Sequence, residues 1–289
     1  MGPVVVLLLL TTPAPAPGAE TPVNADAVSM PADEEALLAE WFKRAAARRP
    51  GESFGDLVVR VAGLQLGKAY YDPPQTAGPE RLQIELKTFQ CVSFVEDSLA
   101  VARCLWRGEP TAACFLHDVV ASRYRDGRMD GYASRLHYFT DWIEDNARRG
   151  RLQIVTGAVG GRALRQRFSF MSDNPASYPA LAAPAVLNAI KEIEARLSAT
   201  PHVVLDRADV ARAQSQLENG DVIGLVSDKH PGMVVIHTGF IYVDKHGKRS
   251  LMHAASFHKR TLVTGSDVAN YLLRRPERRG LMIGRPLPP

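Results

Sequence analysis

Long apolar runs are scarce in this sequence. The only one, Val4 to Leu10, falls far short of the ~18–20 apolar residues a spanning helix needs, so no integral membrane segment is expected. Cysteine is also scarce: three residues, an odd number, cannot all pair within the chain. That excludes a disulfide-built scaffold and leaves at least one thiol free or bonded elsewhere. No block of one charge stands out, and 35 Lys+Arg against 31 Asp+Glu leaves a net +4. A basic nucleic-acid interface is therefore not expected, although a weak attraction to anionic polymers or a negatively charged envelope is compatible. The His-Glu-x-x-His pattern of zinc hydrolases is missing, and Cys114-x-x-His117 lacks a second ligand pair, so no metal is expected. There is no internal repeat.

What is present is a chain of 289 residues, 46% hydrophobic, long enough for one large ordered domain or two small ones. The apolar run near the N-terminus leads into Thr11-Thr12-Pro13 and small residues ending at Ala19, the pattern of a secretory signal without its basic flank. This predicts an exported protein, periplasmic or in the cell envelope, whose mature form starts between about Pro17 and Thr21. Prolines up to Pro31 keep residues 1–31 out of any packed element, leaving residues 32–289 as the folded domain.

Helical spacing begins with Leu37, Leu38, Trp41, Phe42 and Ala45, closed by Arg48 and Arg49. It returns from Phe54 to Gln65, at Val92 to Leu105, at Leu116 to Tyr124, and at Leu136, Phe139, Trp142 and Ile143. Later the pattern changes: strands are predicted at 152–156, 221–226 and 233–243, with Leu251 to Ala254 as the return strand of a hairpin and Leu281 to Ile283 as an edge strand. One helix is predicted at 184–197, and another is capped by Ser266-Asp267. Helices first and mostly antiparallel strands afterwards predict an α+β fold, a helical N-terminal half packed on a mainly antiparallel sheet.

Three stretches carry chemistry. Cys91 falls at the start of an apolar-periodic helix, where free N–H groups and the helix dipole pull a thiol from ~8.5 toward neutrality and can hold an oxyanion. The ordinary reading is a helix start with Ser93 and Glu96 as a capping box, and Cys104 and Cys114 read as core residues. The second stretch is the strand around His237, an imidazole in an apolar run that costs solvation unless it has a partner. A hairpin turn centred on Lys245 sets His253 directly opposite, ~4.5–5.5 Å away at Cβ, and a one-residue error in the turn would break that pairing. A nucleophile at a helix start, a base on a strand and an orienting group beside it form the Cys–His–polar arrangement of papain-like enzymes. The third stretch runs from Ser134 to Asn146, where helical spacing puts His137 and Asp141 on one face, with Arg135 and Tyr138 near its start; an amphipathic helix with a solvated face is the plain alternative.

Gln90-Cys91-Val92-Ser93-Phe94-Val95-Glu96, Ser134-Arg135-Leu136-His137-Tyr138 with Asp141-Trp142-Ile143, Asn219-Gly220-Asp221-Val222-Ile223, His237-Thr238-Gly239 and Leu251-Met252-His253-Ala254 occur in one order over residues 51–286. This set resembles the N-acetylmuramoyl-L-alanine amidase-like branch of the NlpC-type cell-wall cysteine hydrolases. The resemblance implies a papain-like fold, no metal or other cofactor, and muropeptides as the partner. It also implies Cys91 as nucleophile, His237 as base, His253 as third member and Tyr70 beside the nucleophile. In NlpC-type enzymes the residue before the cysteine is commonly Asp, which can pair with a free L-alanine ammonium; here it is Gln90. A neutral residue suits an L-alanine whose nitrogen is acylated by the muramic lactyl group. Arg135 is the candidate contact for a peptide carboxylate, and Tyr138, Asp141 and Trp142 are candidate contacts for peptide and sugar. The competing expectations are an endopeptidase of the same fold that cuts the stem peptide, and a non-catalytic envelope-binding module.

Overall fold

The computed structural model describes residues 30–75 and 77–289. The signal-like stretch and its cleavage zone lie outside these residues. Helix α1 (Ala32–Ala45) carries Asp33, Glu34 and Glu35 in its first turn and stops short of Arg48 and Arg49. Helix α2 (Phe54–Gly63) is capped by Ser53, whose Oγ accepts from the Asp56 N–H at 3.1 Å. Two short strands follow, β1 (Ala69–Tyr70) and β2 (Thr88–Phe89), then α3 (Cys91–Arg107) and α4 (Ala112–Arg123).

Helix α3 ends on Gly108, whose φ of 78° suits a residue without Cβ, and the reversal brings Cys104 and Cys114 together as a disulfide. Both half-cystines are buried, so the expectation of two core positions is met in placement, but their sulfurs are bonded to each other. The bridge closes a short loop and ties the C-terminal end of α3 to the start of α4. Replacing both residues by alanine is expected to cost about 2–3 kcal/mol in denaturant unfolding while leaving the start of α3 in place.

Helix α5 spans Phe139–Arg148, later than the spacing predicted. Residues 132–134 instead form a 3-10 turn in which the Ser134 hydroxyl donates to the Gly131 carbonyl at 2.7 Å, and Arg135 makes an isolated antiparallel bridge with Tyr124. The local hydroxyl bond competes with the helix ladder, so His137 and Asp141 do not share a helical face. The remaining elements are β3 (Leu152–Ile154), β4 (Arg162–Leu164), α6 (Phe170–Asp173), α7 (Pro184–Ala199), β5 (His202–Asp206), α8 (Arg207–Ala213), β6 (Val222–Ser227), β7 (Val235–Val243), β8 (Arg249–Ala255), β9 (Arg260–Val263), α9 (Val268–Leu273) and β10 (Arg278–Pro286).

The strands join in one mixed sheet of order β2-β1-β9-β8-β7-β6-β10-β5-β4, with β3 also on β10. The β1–β2 pairing is parallel and the others are antiparallel. Strand β10 is not an edge: it lies between β6 and β5, which is why Leu281, Met282 and Ile283 are all buried. Strands alternate faces with period two. Val222, Phe240, Met252 and Met282 join the core that includes α1 to α5, whereas Ile223, Ile241, Leu251 and Ile283 join Val210, Val268 and Leu272 of α8 and α9. With both faces covered, these strands read as continuous apolar runs.

The sheet positions the start of α3. The Phe94 ring lies 5.8 Å from that of Phe89 and 5.9 Å from that of Phe240 in β7, a run of aromatic contacts that holds the first turn of α3 against that strand.

Candidate active site

Cys91 is the first residue of α3 and the free cysteine among the described residues. Before it, the Gln90 N–H donates to Ser93 Oγ at 3.2 Å, which closes the helix start. Glu96 takes no part in that cap: it is buried, accepting from Arg123 Nε at 2.7 Å and Trp142 Nε1 at 3.1 Å. Burial pushes the Cys91 thiol up to about 11, and the charge of Asp72 pushes the same way. The N–H groups of Thr238, Val92 and Cys91 itself oppose that shift without reversing it. The resting thiol is therefore protonated at neutral pH, not drawn toward neutrality as the helix start alone suggests. Desolvation outweighs the dipole here.

The Thr238 contact matters because it brings the Cys91 sulfur to the backbone of the residue after His237. His237 Nε2 lies 2.5 Å from His253 Nδ1. The register that joins them is not the expected one. Phe240 faces Met252 and Ile241 faces Leu251, so the turn is centred on His246, and His253 lies opposite Gly239. Moving the centre by one residue moves each partner by two, which breaks the direct pairing but keeps both rings on one face as diagonal neighbours. Gly239 makes this possible: a Cβ there would sit 2.8 Å from His253 Cβ and 2.6 Å from the Met252 carbonyl oxygen.

Burial, with Arg278 adding, holds His237 down to about 4, and burial with His237, His258 and Arg278 holds His253 lower still. Both imidazoles are neutral at physiological pH. With the shared hydrogen on His237 Nε2, donated to His253 Nδ1, the other nitrogen of His237 is a bare acceptor suited to take a proton. His253 is 3% exposed, its Nε2 has no hydrogen-bond partner among the described residues, and its ring packs against Tyr271 of α9 with centroids 5.7 Å apart.

Tyr70 stands within electrostatic range of Cys91; burial first, then Cys91 and Asp72, hold its hydroxyl well above the usual tyrosine range, so it remains a donor. A cavity of about 250 Å³ adjoins the helix start, lined by Tyr71, Gln90, Ser93, Asp97, Arg123 and Arg135 among others. Arg135 is the loosely held cation of that wall: its nearest carboxylate, Glu80 Oε1, lies 3.8 Å away. Arg123, by contrast, is buried and committed to Glu96 and the Gln83 carbonyl.

Residues 66–281, a stretch that holds Cys91, His237 and His253, match the AmiA-like, N-acetylmuramoyl-L-alanine amidase-like family. The chain belongs to this family. In structure the amidase-like chain is similar to an N-acetylmuramoyl-L-alanine amidase from Bacteroides uniformis, at 31% identity and a TM-score of 0.75, over 81% of this chain and 99% of that one. A Bacteroides fragilis protein provisionally named a xylanase is 30% identical, with a TM-score of 0.72 over 78% of this chain and 98% of that one. A Legionella pneumophila protein shares the fold at 15% identity, with a TM-score of 0.63 over 89% of this chain and 94% of that one. No curated protein is significantly similar in sequence.

Within this amidase-like fold, three residues expected to touch substrate are placed elsewhere. Tyr138 is buried, its hydroxyl donating to Glu194 Oε1 at 2.5 Å and accepting from the Met171 N–H at 3.0 Å. Asp141 is buried in ion pairs with Arg125 and Arg196 at 2.6 and 2.8 Å. Trp142 is 1% exposed and stacked on Phe139. All three hold α5 against the core, and their polar atoms are already satisfied. One residue the sequence reading passed over is Asp72: it follows the second tyrosine of Tyr70-Tyr71 in a Pro- and Gly-rich loop, a setting with no periodicity to single it out. Its carboxylate weakens the inference from Gln90, because the charge of Asp72 helps to raise the Cys91 thiol pKa.

Proposed function

We propose that this chain is a cysteine amidase of papain-like, NlpC-type fold that hydrolyses the amide joining N-acetylmuramic acid to L-alanine in muropeptides, without a cofactor. The observation that carries this reading is the placement of the free Cys91 at a helix start, its sulfur on the Thr238 N–H beside His237, which is itself bonded to His253. Family membership and the name of the Bacteroides uniformis neighbour supply the substrate class.

The cycle begins with a neutral thiol and a neutral imidazole. His237 takes the thiol proton as the sulfur bonds to the lactyl carbonyl carbon, and the carbonyl π electrons move onto oxygen. The Cys91 and Val92 N–H groups at the start of α3, which face the sulfur at rest, and the Tyr70 hydroxyl are the donors available to that oxyanion. Collapse re-forms the carbonyl and breaks the C–N bond, while His237 returns its proton to the departing nitrogen, leaving a thioester on Cys91 and a peptide with a free amino terminus. Water, deprotonated by His237, then attacks the thioester and restores the thiol. His253 keeps the His237 ring in its useful tautomer through both halves.

Acid quench during turnover followed by intact-protein mass spectrometry tests the reading. A muramyl-sugar adduct on Cys91 is expected; a peptide acyl group there would point to the endopeptidase instead. Arg135 is assigned to a carboxylate of the stem peptide. If it holds that group equally in ground and transition states, Arg135→Ala should raise KM about tenfold with little change in kcat.

Export to the periplasm or cell envelope belongs to the same proposal. The Cys104–Cys114 bridge supports it, since disulfides persist mainly in oxidising compartments, and so does the signal-like N-terminal sequence.

A further inference from the structure

A hydrogen bond holds the His253 ring at one point only. Its Nδ1 meets His237 Nε2 at 2.5 Å, while its buried Nε2 has no hydrogen-bond partner among the described residues. One such bond fixes a nitrogen but not the plane of the ring, so packing has to supply the rest. That packing comes from Tyr271 of α9, whose ring stands nearly perpendicular to the imidazole, at 75°, with centroids 5.7 Å apart. Tyr271 is itself held from both sides. Val268, Ala269 and Leu272 bury its helix against the sheet, and Arg278, the first residue of β10, folds back onto its ring. The Arg278 Cζ lies 4.0 Å over the ring centroid, and Nη1 donates to the Tyr271 carbonyl. The sheet explains the meeting: Arg278 pairs with Ser227 at the end of β6, and β6 pairs in turn with the start of β7, where His237 stands.

The charges at this end of the sheet are of one sign. Arg278 has no carboxylate within ion-pair distance among the described residues. The charged groups bearing on the two imidazoles are Arg278 from β10 and His258 from the β8–β9 turn, beside the protonated Cys91 thiol of α3 and the Tyr271 hydroxyl of α9; no carboxylate is among them. Where a carboxylate orients a catalytic histidine, it stabilises the imidazolium that forms. Here the orienting ring is neutral and the charge behind it is positive, so the imidazolium is less stable and a stronger acid. Such a histidine gives up its proton more readily to a poor leaving group, and an amide nitrogen is one.

We propose that Tyr271 and Arg278 are positioning residues of the catalytic centre: Tyr271 sets the plane of the His253 ring, and the Arg278 guanidinium seated on Tyr271 keeps both imidazoles uncharged at rest and makes His237 a better acid toward the departing nitrogen. Both act through the histidines. The assignment rests on the role proposed above for His237 and adds no covalent step: the proton passes from Cys91 to His237, and from His237 to the nitrogen as the C–N bond breaks.

Arg278→Gln removes the charge and Arg278→Lys restores it; Tyr271→Leu removes the ring and Tyr271→Phe restores it. In a Cys91→Ser background the His237 and His253 imidazole signals would be titrated by nuclear magnetic resonance, with circular dichroism on each variant. Arg278→Gln should bind the His237 proton about threefold more tightly, moving its midpoint up from about 4, whereas Arg278→Lys should leave it in place. With Cys91 intact, the acid limb of kcat/KM should move by the same factor. Tyr271→Leu should lower kcat about tenfold with KM unchanged, and Tyr271→Phe should recover most of that loss. An unmoved midpoint in folded Arg278→Gln, or one midpoint for the Gln and Lys variants, would overturn the assignment of Arg278. Equal losses in Tyr271→Phe and Tyr271→Leu would overturn that of Tyr271. A midpoint that moves while the acid limb of kcat/KM stays put would defeat His237 as the base, and with it the reading above, while upholding the influence of Arg278 on the pair.

Discussion

Cys91→Ser is expected to lower kcat by about 10⁴-fold or more, since an alcohol beside a weakly basic imidazole is a far poorer nucleophile than a thiol. The fold should survive, because the replacement is nearly isosteric and Phe94, not Cys91, packs the first turn of α3 onto β7. The same residue should carry all the iodoacetamide label in the unreduced protein, because Cys104 and Cys114 are bonded to each other. Peptide mapping after alkylation, with circular dichroism on the variant, checks both points. Loss of activity on adding a chelator, with full activity in the serine variant, would exclude thiol chemistry.

The second large effect concerns the histidines. His237→Ala should cost on the order of 10³-fold in kcat, the usual scale for a positioned acid–base group, and His253→Ala less, because it acts through the ring beside it. The two effects should not add, since both remove parts of one unit. The pH profile follows from the resting protonation states. His237 is held down to about 4, so activity should fall as pH drops through that value and the base becomes protonated. Cys91 is held up to about 11, so alkylation by iodoacetamide should be slow near neutrality and rise with pH toward that value. Between the two, kcat/KM should be flat. A thiol alkylated as fast at pH 6 as at pH 9 would instead show a thiolate–imidazolium pair already formed at rest.

Much of this arrangement could be read from periodicity. The helices that contain Trp41, Leu57 and Leu99 bury continuous stripes, and β6 to β8 bury both faces, so spacing alone located them. The candidate site's placement was legible in part for the same reason: Cys91 is the first residue of α3, and His237 and His253 fall on paired strands. What periodicity cannot give is parity-neutral error and long-range partnership. The hairpin turn was misplaced by one residue, yet the two-residue shift it causes preserves the face, and Gly239 leaves the space that lets the rings meet. The buried pairs Tyr138–Glu194 and Asp141–Arg196 join residues more than fifty positions apart, and no local pattern distinguishes such a side chain from one facing substrate. Asp72 was hidden for a different reason: it lies just past β1, a strand two residues long, in a Pro- and Gly-rich loop with no periodicity to single it out. Likewise, the disulfide depends on the reversal between α3 and α4, which brings the Cys104 and Cys114 Cα atoms to 5.9 Å.

The bond cleaved is the centre of the account. Purified disaccharide-tetrapeptide incubated with the protein and resolved by mass spectrometry reads it directly. The account predicts two products, free tetrapeptide beginning with L-alanine and an intact disaccharide ending in N-acetylmuramic acid, both lost in Cys91→Ser. A disaccharide that keeps L-alanine-D-glutamate attached would contradict it.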